Sequence, residues 1–217
     1  MTEAFGEVAE ALEDILVDNV YGLESDKVVV EERLVGEEIT LVCMTDGEDV
    51  VVLGHVLNHP RLHEGDRGPP TGGMGQVSPA PQLDSAFESH IMESVLRPTV
   101  REMAERGAPL RGALFVDFML VKGVPYAIDY NVRFGDPATQ TVLSAYSGDI
   151  YQLLQACRGE HDLRSAVSAL SYDSRPRVSV VLACEGYPER YVRGDAIRIE
   201  RAVFDRDPDL ILYEDGV

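Results

Sequence analysis

Residues 112–131 read GALFVDFMLVKGVPYAIDYN, two apolar runs on either side of Lys122-Gly123. Runs rich in β-branched and aromatic residues that flank a two-residue turn with glycine predict a β-hairpin. If the turn is centred on Gly123, residues whose numbers add up to 246 lie opposite each other, which pairs Asp117 with Asp129. Side chains at such paired positions are about 4.5–5.5 Å apart at Cβ.

The hairpin is therefore predicted to bring two acidic side chains together. Asn131 projects from the same strand face as Asp129, since side chains alternate along a strand. Burial of a carboxylate and repulsion between two of them are both unfavourable, so a compensating group is expected. Two carboxylates and an amide oxygen are hard ligands suited to Mg²⁺ on a nucleotide. The alternative is a turn shifted by one residue, which would direct Asp117 to solvent.

Strand and helix signals continue on both sides of the hairpin. Apolar positions at three- and four-residue spacing predict an amphipathic helix over 5–16. A capping box at Ser85 begins another helix with a kink at Pro98, and a third helical region covers 141–157. Segments rich in Val, Ile and Thr predict further strands, at 27–34, 38–45, 50–57 and 177–184. The predicted fold class is α+β, with an antiparallel sheet and flanking helices.

Two polar loops carry further candidate site residues. The loop at 58–81 is longer than a simple connection, and its segment Gly68–Gly75 holds four glycines. Such a segment lets backbone amides approach an anion, although a flexible surface loop is the commoner interpretation. In the second loop, the guanidinium of Arg133 could hold a phosphoryl or carboxylate oxygen, or form an ordinary ion pair with Asp136. A change of character after Pro176 predicts two domains, 1–174 and 175–217.

The composition of the 217-residue chain excludes some classes of protein. It has 38 Asp and Glu against 19 Lys and Arg, a formal charge of 19 − 38 = −19, whereas nucleic-acid binding depends on clustered Lys and Arg. The carboxylates are spread along the chain, which predicts a solvating surface suited to a salt-rich cytoplasm. The three cysteines are widely spaced, and no apolar run reaches the ~18 residues of a membrane span. We therefore expect a soluble, cytoplasmic protein with no nucleic-acid or membrane partner.

Four segments, in this order, resemble the glycinamide ribonucleotide synthetase family (the phosphoribosylamine-glycine ligases) of the ATP-grasp superfamily. They cover most of the chain, at 29–38, 65–81, 129–140 and 181–188. The blocks Thr71-Gly-Gly-Met-Gly75 and Asn131-x-Arg-Phe-Gly-Asp-Pro137 are specific to this family. The resemblance implies that ATP phosphorylates the glycine carboxylate and that the amine of 5-phosphoribosylamine then displaces phosphate, a step of purine biosynthesis.

The resemblance also implies roles for individual residues. Glu31 and the backbone at Leu34 would line the adenine of ATP, and Glu38 would accept the ribose hydroxyls. Mg²⁺ or Mn²⁺ would bind Asp129, Asn131 and Asp117, and Arg133 would act in catalysis. The substrate side would be formed by four residues of the two loops, Thr71, Gly72, Gly73 and Asp136.

Several positions depart from the family pattern. Asp129 replaces the usual Glu, and Asp117 stands where the family commonly has a small residue. Four further replacements concern substrate preference more than ATP binding: Pro60 for Lys, Arg67 for Thr, Pro70 for Asn and Ala138 for Glu.

Family members are also considerably longer than this chain. The resemblance therefore implies a partial ATP-grasp domain, then the start of a small β-rich C-terminal domain, with an N-terminal half missing as a partner. Ligase activity of the chain alone is not expected. Two alternatives stay open: another carboxylate-amine ligase of the superfamily, or a non-catalytic nucleotide-binding fragment.

Overall fold

An antiparallel sheet of six strands organises the structure, a computed structural model that describes residues 2–20, 22, 27–191, 194 and 196–214. The strands are β1 (Glu37–Thr45), β2 (Val50–Asn58), β3 (Arg61–His63), β4 (Arg67–Pro70), β5 (Gly75–Ser78), β6 (Gly112–Val121), β7 (Val124–Asn131), β8 (Tyr146–Ser147), β9 (Ser171–Tyr172) and β10 (Arg177–Val180). The main sheet has the order β10-β5-β2-β1-β6-β7, while β3 pairs with β4 and β8 with β9.

Helices flank this sheet, which confirms the predicted α+β class. They are α1 (Thr2–Leu16), α2 (Ser85–Ile91), α3 (Arg97–Glu105), α4 (Ala138–Leu143), α5 (Ile150–Ala156), α6 (Leu163–Ser168) and α7 (Ala202–Arg206). Contacts divide the chain into two compact units, Met1–Leu34 with α1 and Val35–Val217 with the sheet. No helix in the described part of the chain is long and apolar enough to span a membrane.

Each face of the sheet has its own apolar core because side chains alternate along the strands. On the first face, β1 and β6 contribute residues such as Ile39 and Phe118, which cluster with Ile91 and Val100 of the α2–α3 region. The second face has a separate core of β-strand and α4–α6 residues, among them Val42, Met44, Phe115, Val142 and Leu153. Asp117 alternates with the first-face residues of β6 and therefore lies on the second face.

The region from 85 to 105 differs in detail from the predicted helix. The N-terminal cap is Asp84 and not Ser85, since the Asp84 carboxylate accepts the N–H of Phe87 at 2.8 Å. A π-helical segment, Met92–Leu96, connects α2 to α3, and Pro98 is the second residue of α3. Proline lacks the N–H that a regular helix needs at this point, so the altered hydrogen bonding coincides with the predicted irregularity.

The prediction of a strand over 27–34 is wrong. Residues 27–35 have no regular secondary structure, and the side chains of Val29 and Val30 are 82% and 72% exposed. Strand formation requires a hydrogen-bonded neighbour, and none of the described ladders includes this segment. The loop predicted at 58–81, by contrast, contains the short strands β3, β4 and β5.

The domain boundary near residue 174 stays a prediction. Strand β10 lies beyond it and pairs with β5, with Ser179 opposite Gln76. Residues on either side are also joined by ion pairs, because Arg175 binds Asp173 at 2.8 Å and Asp209 at 3.1 Å. Regular strand structure ends at Val180, four residues before the predicted end.

We predict that Gly36→Ala lowers the free energy of unfolding by about 3 kcal/mol, the upper end of the usual cost of overpacking. A Cβ at Gly36 would lie 2.0 Å from the carbonyl oxygen of Leu120, so the backbone of β1 or β6 would have to move. Urea denaturation measures the change. Gly6→Ala is the matched control, because a Cβ at Gly6 would meet no described atom within 4 Å. Equal midpoints for the two variants would contradict the prediction.

Candidate active site

The β6–β7 hairpin has the predicted pairing at its acidic positions. Asp117 lies opposite Asp129, and Phe115 lies opposite Asn131. The turn itself consists of Lys122 and Gly123, both with positive φ (53° and 81°), so it is centred between these residues and not on Gly123. An irregularity next to Asp117, where Ile128 is the extra residue of β7, shifts the register by one and restores the predicted pair.

Both acidic side chains converge on one amide group. The Nδ2 of Asn131 donates to Oδ2 of Asp117 at 3.0 Å and to Oδ2 of Asp129 at 3.1 Å. The Thr40 hydroxyl donates to the other oxygen of Asp117, and the N–H of Tyr130 donates to Oδ1 of Asp129 at 2.8 Å. Asp117 is therefore turned towards Asp129, which decides against the alternative in which this side chain faces solvent, although the turn itself differs from the predicted one.

Burial disfavours the charged form of two carboxyl groups of the site, Asp117 and Glu38. Burial raises the pKa of the Asp117 carboxyl and the charge of Asp129 raises it further, against the lowering effects of the Thr40 and Asn131 hydrogen bonds and of Arg133. Burial also raises the pKa of Glu38, and Asp117 adds to this shift. None of the nine described ion pairs includes Glu38, Asp117 or Asp129.

The chemistry of these donors fits a hard divalent cation. Asp117 and Asp129 offer carboxylate oxygens, and Asn131 offers an amide oxygen if its side chain turns to exchange O for N. Among the described residues, no three His, Cys, Asp or Glu side chains converge on a point. The protein would therefore supply two carboxylates and an amide, and the other coordination positions would be left for water and substrate oxygens.

A cavity of about 120 Å³ brings most of the predicted residues together. Eight of them line it: Glu38, Thr71, Gly72, Gly73, Asp117, Asn131, Arg133 and Asp136. Asp129 adjoins the cavity through its hydrogen bond with Asn131. Glu31 and Leu34 belong to the other compact unit, so their predicted contacts with adenine stay a prediction.

The glycine-rich loop does not present a row of free amides. The N–H of Thr71 donates to Pro60 O at 2.8 Å, and the N–H of Gly73 donates to the Thr71 hydroxyl at 3.0 Å. The N–H of Gly72 donates to the hydroxyl of Tyr187 over a long 3.4 Å. An anion at this loop would therefore have to replace existing hydrogen bonds, of which the contact with Tyr187 is the longest.

The second loop forms the opposite side of the cavity. Arg133 lies within electrostatic range of Asp117, and its Nη1 donates to Phe134 O at 3.2 Å. The Asp136 carboxylate accepts a hydrogen bond from Gln140 at 2.8 Å, which fixes it at the start of α4. Both side chains thus border the same space as the acidic pair, while their catalytic and substrate-binding roles stay predictions.

Three residues of the cavity were missed by the sequence analysis: Thr40, Asn58 and Gln76. A signal existed for Thr40, which is a polar residue two positions from Glu38 on a strand and so shares its face. Asn58 ends β2, where a polar residue is unremarkable. Gln76 lies on β5, in a region that was interpreted as a loop, so the sequence did not predict on which face of the sheet its side chain would lie.

Comparisons with known proteins show the family of this chain. The sequence profile described as "Phosphoribosylglycinamide synthetase, ATP-grasp (A) domain" matches residues 2–139. The chain is 42% identical over 195 residues to the chloroplastic phosphoribosylamine-glycine ligase of Arabidopsis thaliana, covering 88% of this chain and 36% of that protein. It is 40% identical to the enzyme of the same name from Vibrio vulnificus, with 88% and 44% covered.

A solved structure is also similar. The crystal structure of phosphoribosylamine-glycine ligase from Thermotoga maritima superposes with a TM-score of 0.72 at 30% identity, covering 84% of this chain and 45% of that one. The fold is therefore that of an ATP-grasp protein. The chain spans less than half the length of these relatives.

We predict that Asp117→Asn stabilises the metal-free protein. The pKa of Asp117 lies above its unfolded value of 3.8, so the folded state holds this proton more tightly and loses stability as pH rises from about 4 through the folded pKa. At pH 7 in EDTA, the melting temperature should rise by about 2–4 °C, which corresponds to about 1 kcal/mol for a chain of this size.

Glu48→Gln is the control for that experiment. It makes the same change in net charge at an exposed position of the β1–β2 turn. Its melting temperature should follow that of the wild type from pH 4 to 7. A lower melting temperature for Asp117→Asn at pH 7 would show that the ionised carboxyl stabilises the fold.

Proposed function

We propose a function for a chain that belongs to the phosphoribosylglycinamide synthetase family: it forms part of a ligase that joins glycine to 5-phosphoribosylamine with ATP, in purine biosynthesis. The observation that carries this proposal is the opposed pair Asp117 and Asp129, with Asn131 between them, in a cavity shared with Arg133 and the glycine-rich loop. Phosphoryl transfer depends mainly on positioning of the reacting groups and on neutralisation of their charge. This cluster would position the phosphoryl group and hold a cation that neutralises its charge.

The proposed reaction has two steps. A carboxylate oxygen of glycine bonds to the γ-phosphorus of ATP, the bond from this phosphorus to the bridging oxygen breaks, and ADP leaves. The amine nitrogen of 5-phosphoribosylamine then bonds to the carbonyl carbon of glycyl phosphate. Inorganic phosphate leaves as the carbon–oxygen bond breaks, and the nitrogen loses a proton.

Each side chain has a proposed part in these steps. Asp117, Asp129 and Asn131 would hold Mg²⁺ or Mn²⁺, which when bound neutralises phosphoryl oxygens. Arg133 would hold the transferred phosphoryl group with its planar guanidinium. The nucleotide would be bound by Glu31, Leu34 and Glu38, and the substrates by Thr71, Gly72, Gly73 and Asp136.

A second candidate is another ATP-grasp ligase that joins a different acid to an amine. Pro60 and Ala138, two of the departures from the family pattern, both line the cavity. Each replaces a charged family residue with an uncharged one, and a cavity changed in this way has altered recognition of charged substrate groups. Tests with carboxylic acids other than glycine separate this candidate from the first.

We further propose that the protein works in a salt-rich cytoplasm and that ligase activity also requires the part of its relatives that this sequence does not match. The cysteines support a reducing compartment, since Cys43, Cys157 and Cys184 are all unpaired. The charge of −19 supports high salt, because screening weakens self-repulsion. The chain spans less than half the length of these relatives, so the activity is proposed for the whole ligase and not for this chain alone.

We predict that Mg²⁺-ATP binds weakly and that Asp129→Ala lowers its affinity at least tenfold, as expected for loss of a cation ligand. Isothermal titration calorimetry measures both constants. Asp205→Ala removes an exposed carboxylate of α7 and should leave the affinity unchanged. Equal affinities for wild type and Asp129→Ala would remove the proposed metal site.

We also predict that a separately expressed N-terminal part of a full-length relative restores glycine-dependent ADP release when mixed with this chain. Release should require both polypeptides and 5-phosphoribosylamine, and should be lost with Asp129→Ala. Continuous measurement of ADP with a coupled assay tests this. If a different carboxylic acid replaces glycine, the second candidate is supported. If no acid is used, the non-catalytic alternative is favoured.

A further inference from the structure

A continuous row of hydrogen bonds between side chains crosses the sheet along the cavity, from β5 to β7. The Nε2 of Gln76 donates to Oδ1 of Asn58 at 2.8 Å. The Nδ2 of Asn58 donates to the Thr40 hydroxyl at 2.7 Å and to Oε1 of Glu38 at 3.0 Å. The Thr40 hydroxyl in turn donates to Asp117. The row therefore connects a strand far from the hairpin to the opposed acidic pair.

The strand register explains why these side chains meet. Gln76 is paired with Asn58 across β5 and β2, and Thr40 is paired with Asp117 across β1 and β6. Glu38 and Asn58 occupy opposed positions at the ends of β1 and β2, next to the pair Ile39 and Leu57. Side chains at paired positions on one sheet face are close enough to interact directly.

Each hydrogen bond in the row fixes the direction of the next. Because Asn58 accepts from Gln76 through its oxygen, its NH₂ group must face Glu38 and Thr40. Because the Thr40 oxygen accepts a hydrogen bond from Asn58, the Thr40 hydroxyl can donate its single hydrogen to Asp117. The row begins at the Nε2 of Gln76, while the oxygen of Gln76 lies 3.5 Å from the Thr141 hydroxyl, which has a closer acceptor in Pro137 O at 2.9 Å.

Gln76 and Thr40 border the cavity but expose little of their surface to it. Gln76 is 6% exposed and Thr40 is 4% exposed, so their polar groups are satisfied within the protein. A buried amide without its partners is costly, which favours one arrangement of the row over the alternatives. Gln76 thus acts on the site through Asn58 and Thr40.

We propose that Gln76 and Asn58 are positioning residues of the active site: Gln76 fixes the amide of Asn58, which holds Glu38 and directs the Thr40 hydroxyl to Asp117. The predicted effect on nucleotide binding rests on the proposed function. The positioning of Asn58 and Thr40 by Gln76 does not depend on it. Without Gln76, the Asn58 oxygen loses its donor, and an amide that turns over to present this oxygen to Thr40 also gives up its hydrogen bond to Glu38. The Thr40 hydroxyl then donates to Asn58, and Asp117 loses a hydrogen bond.

The test compares Gln76→Met, an unbranched apolar replacement, with wild type by ¹H–¹⁵N spectra of side-chain amides. The Asn58 amide should change its shifts and lose protection from hydrogen exchange, and the Asn131 amide, bonded to Asp117, should shift as well. Thr45→Val is the matched control, since Thr45 is equally buried on β1 but bonds Asp49 O and lies outside the row. The control should leave both amides unchanged.

Binding of Mg²⁺-ATP supplies the second readout. Gln76→Met and Asn58→Leu should each lower the affinity about tenfold, the usual effect of removing a residue that orients a ligand. The double variant should be no weaker than Asn58→Leu alone, because Gln76 acts through Asn58. Additive losses, or an Asn131 amide unchanged in Gln76→Met, would overturn the proposal. If the wild type does not bind Mg²⁺-ATP, the proposed function fails. The amide spectra then still show whether Gln76 orients the side chain of Asn58.

Discussion

Two carboxylates placed opposite each other by the β6–β7 register are the constraint on which the rest of the site depends. Like charges at paired strand positions repel, and partial burial of Asp117 adds a desolvation cost. Hydrogen bonds from Thr40 and Asn131 offset part of this cost without bringing a positive charge. A carboxylate whose desolvation is only partly offset lowers the stability of the fold. This is the arrangement expected where a cation or a charged ligand completes the site.

The second face of the sheet is divided between this polar site and an apolar core. Along β1, Glu38 and Thr40 are followed on the same face by Val42 and Met44, which pack with residues of α4 and α5. On β6, Asp117 is likewise two residues from the buried Phe115. Rigid packing at one end of each strand therefore holds the polar side chains at the other. This arrangement suits a site that must keep its groups in place before a ligand binds.

The sequence predicted those features that depend on neighbouring residues. The pairing of Asp117 with Asp129 was predicted from a turn centred on Gly123. The turn is centred between Lys122 and Gly123, and the extra residue Ile128, which could not be foreseen, restores the predicted pair. The strand at 27–34 failed because β-propensity does not provide a pairing partner. Asn58 and Gln76 were missed because their roles depend on the β2–β5 pairing, which joins distant parts of the chain. The contacts of Glu31 with a nucleotide stay a prediction for a similar reason, since local sequence does not fix where its segment lies.

The replacement of the usual Glu by Asp129 is understandable together with the acid at position 117. Asp129 is one methylene shorter than Glu, so its carboxylate stays closer to β7 and reaches less far over the sheet. Asp117 lies at the paired position on β6, and its Oδ2 and that of Asp129 bind the same amide of Asn131. Carboxylate oxygens from β6 and β7 therefore meet at one place, whereas the family pattern has a single, longer Glu side chain on β7. The acidic groups of the site are shared between the two strands of the hairpin, so a departure from the family pattern at the proposed metal ligand Asp129 does not by itself argue against binding of a cation.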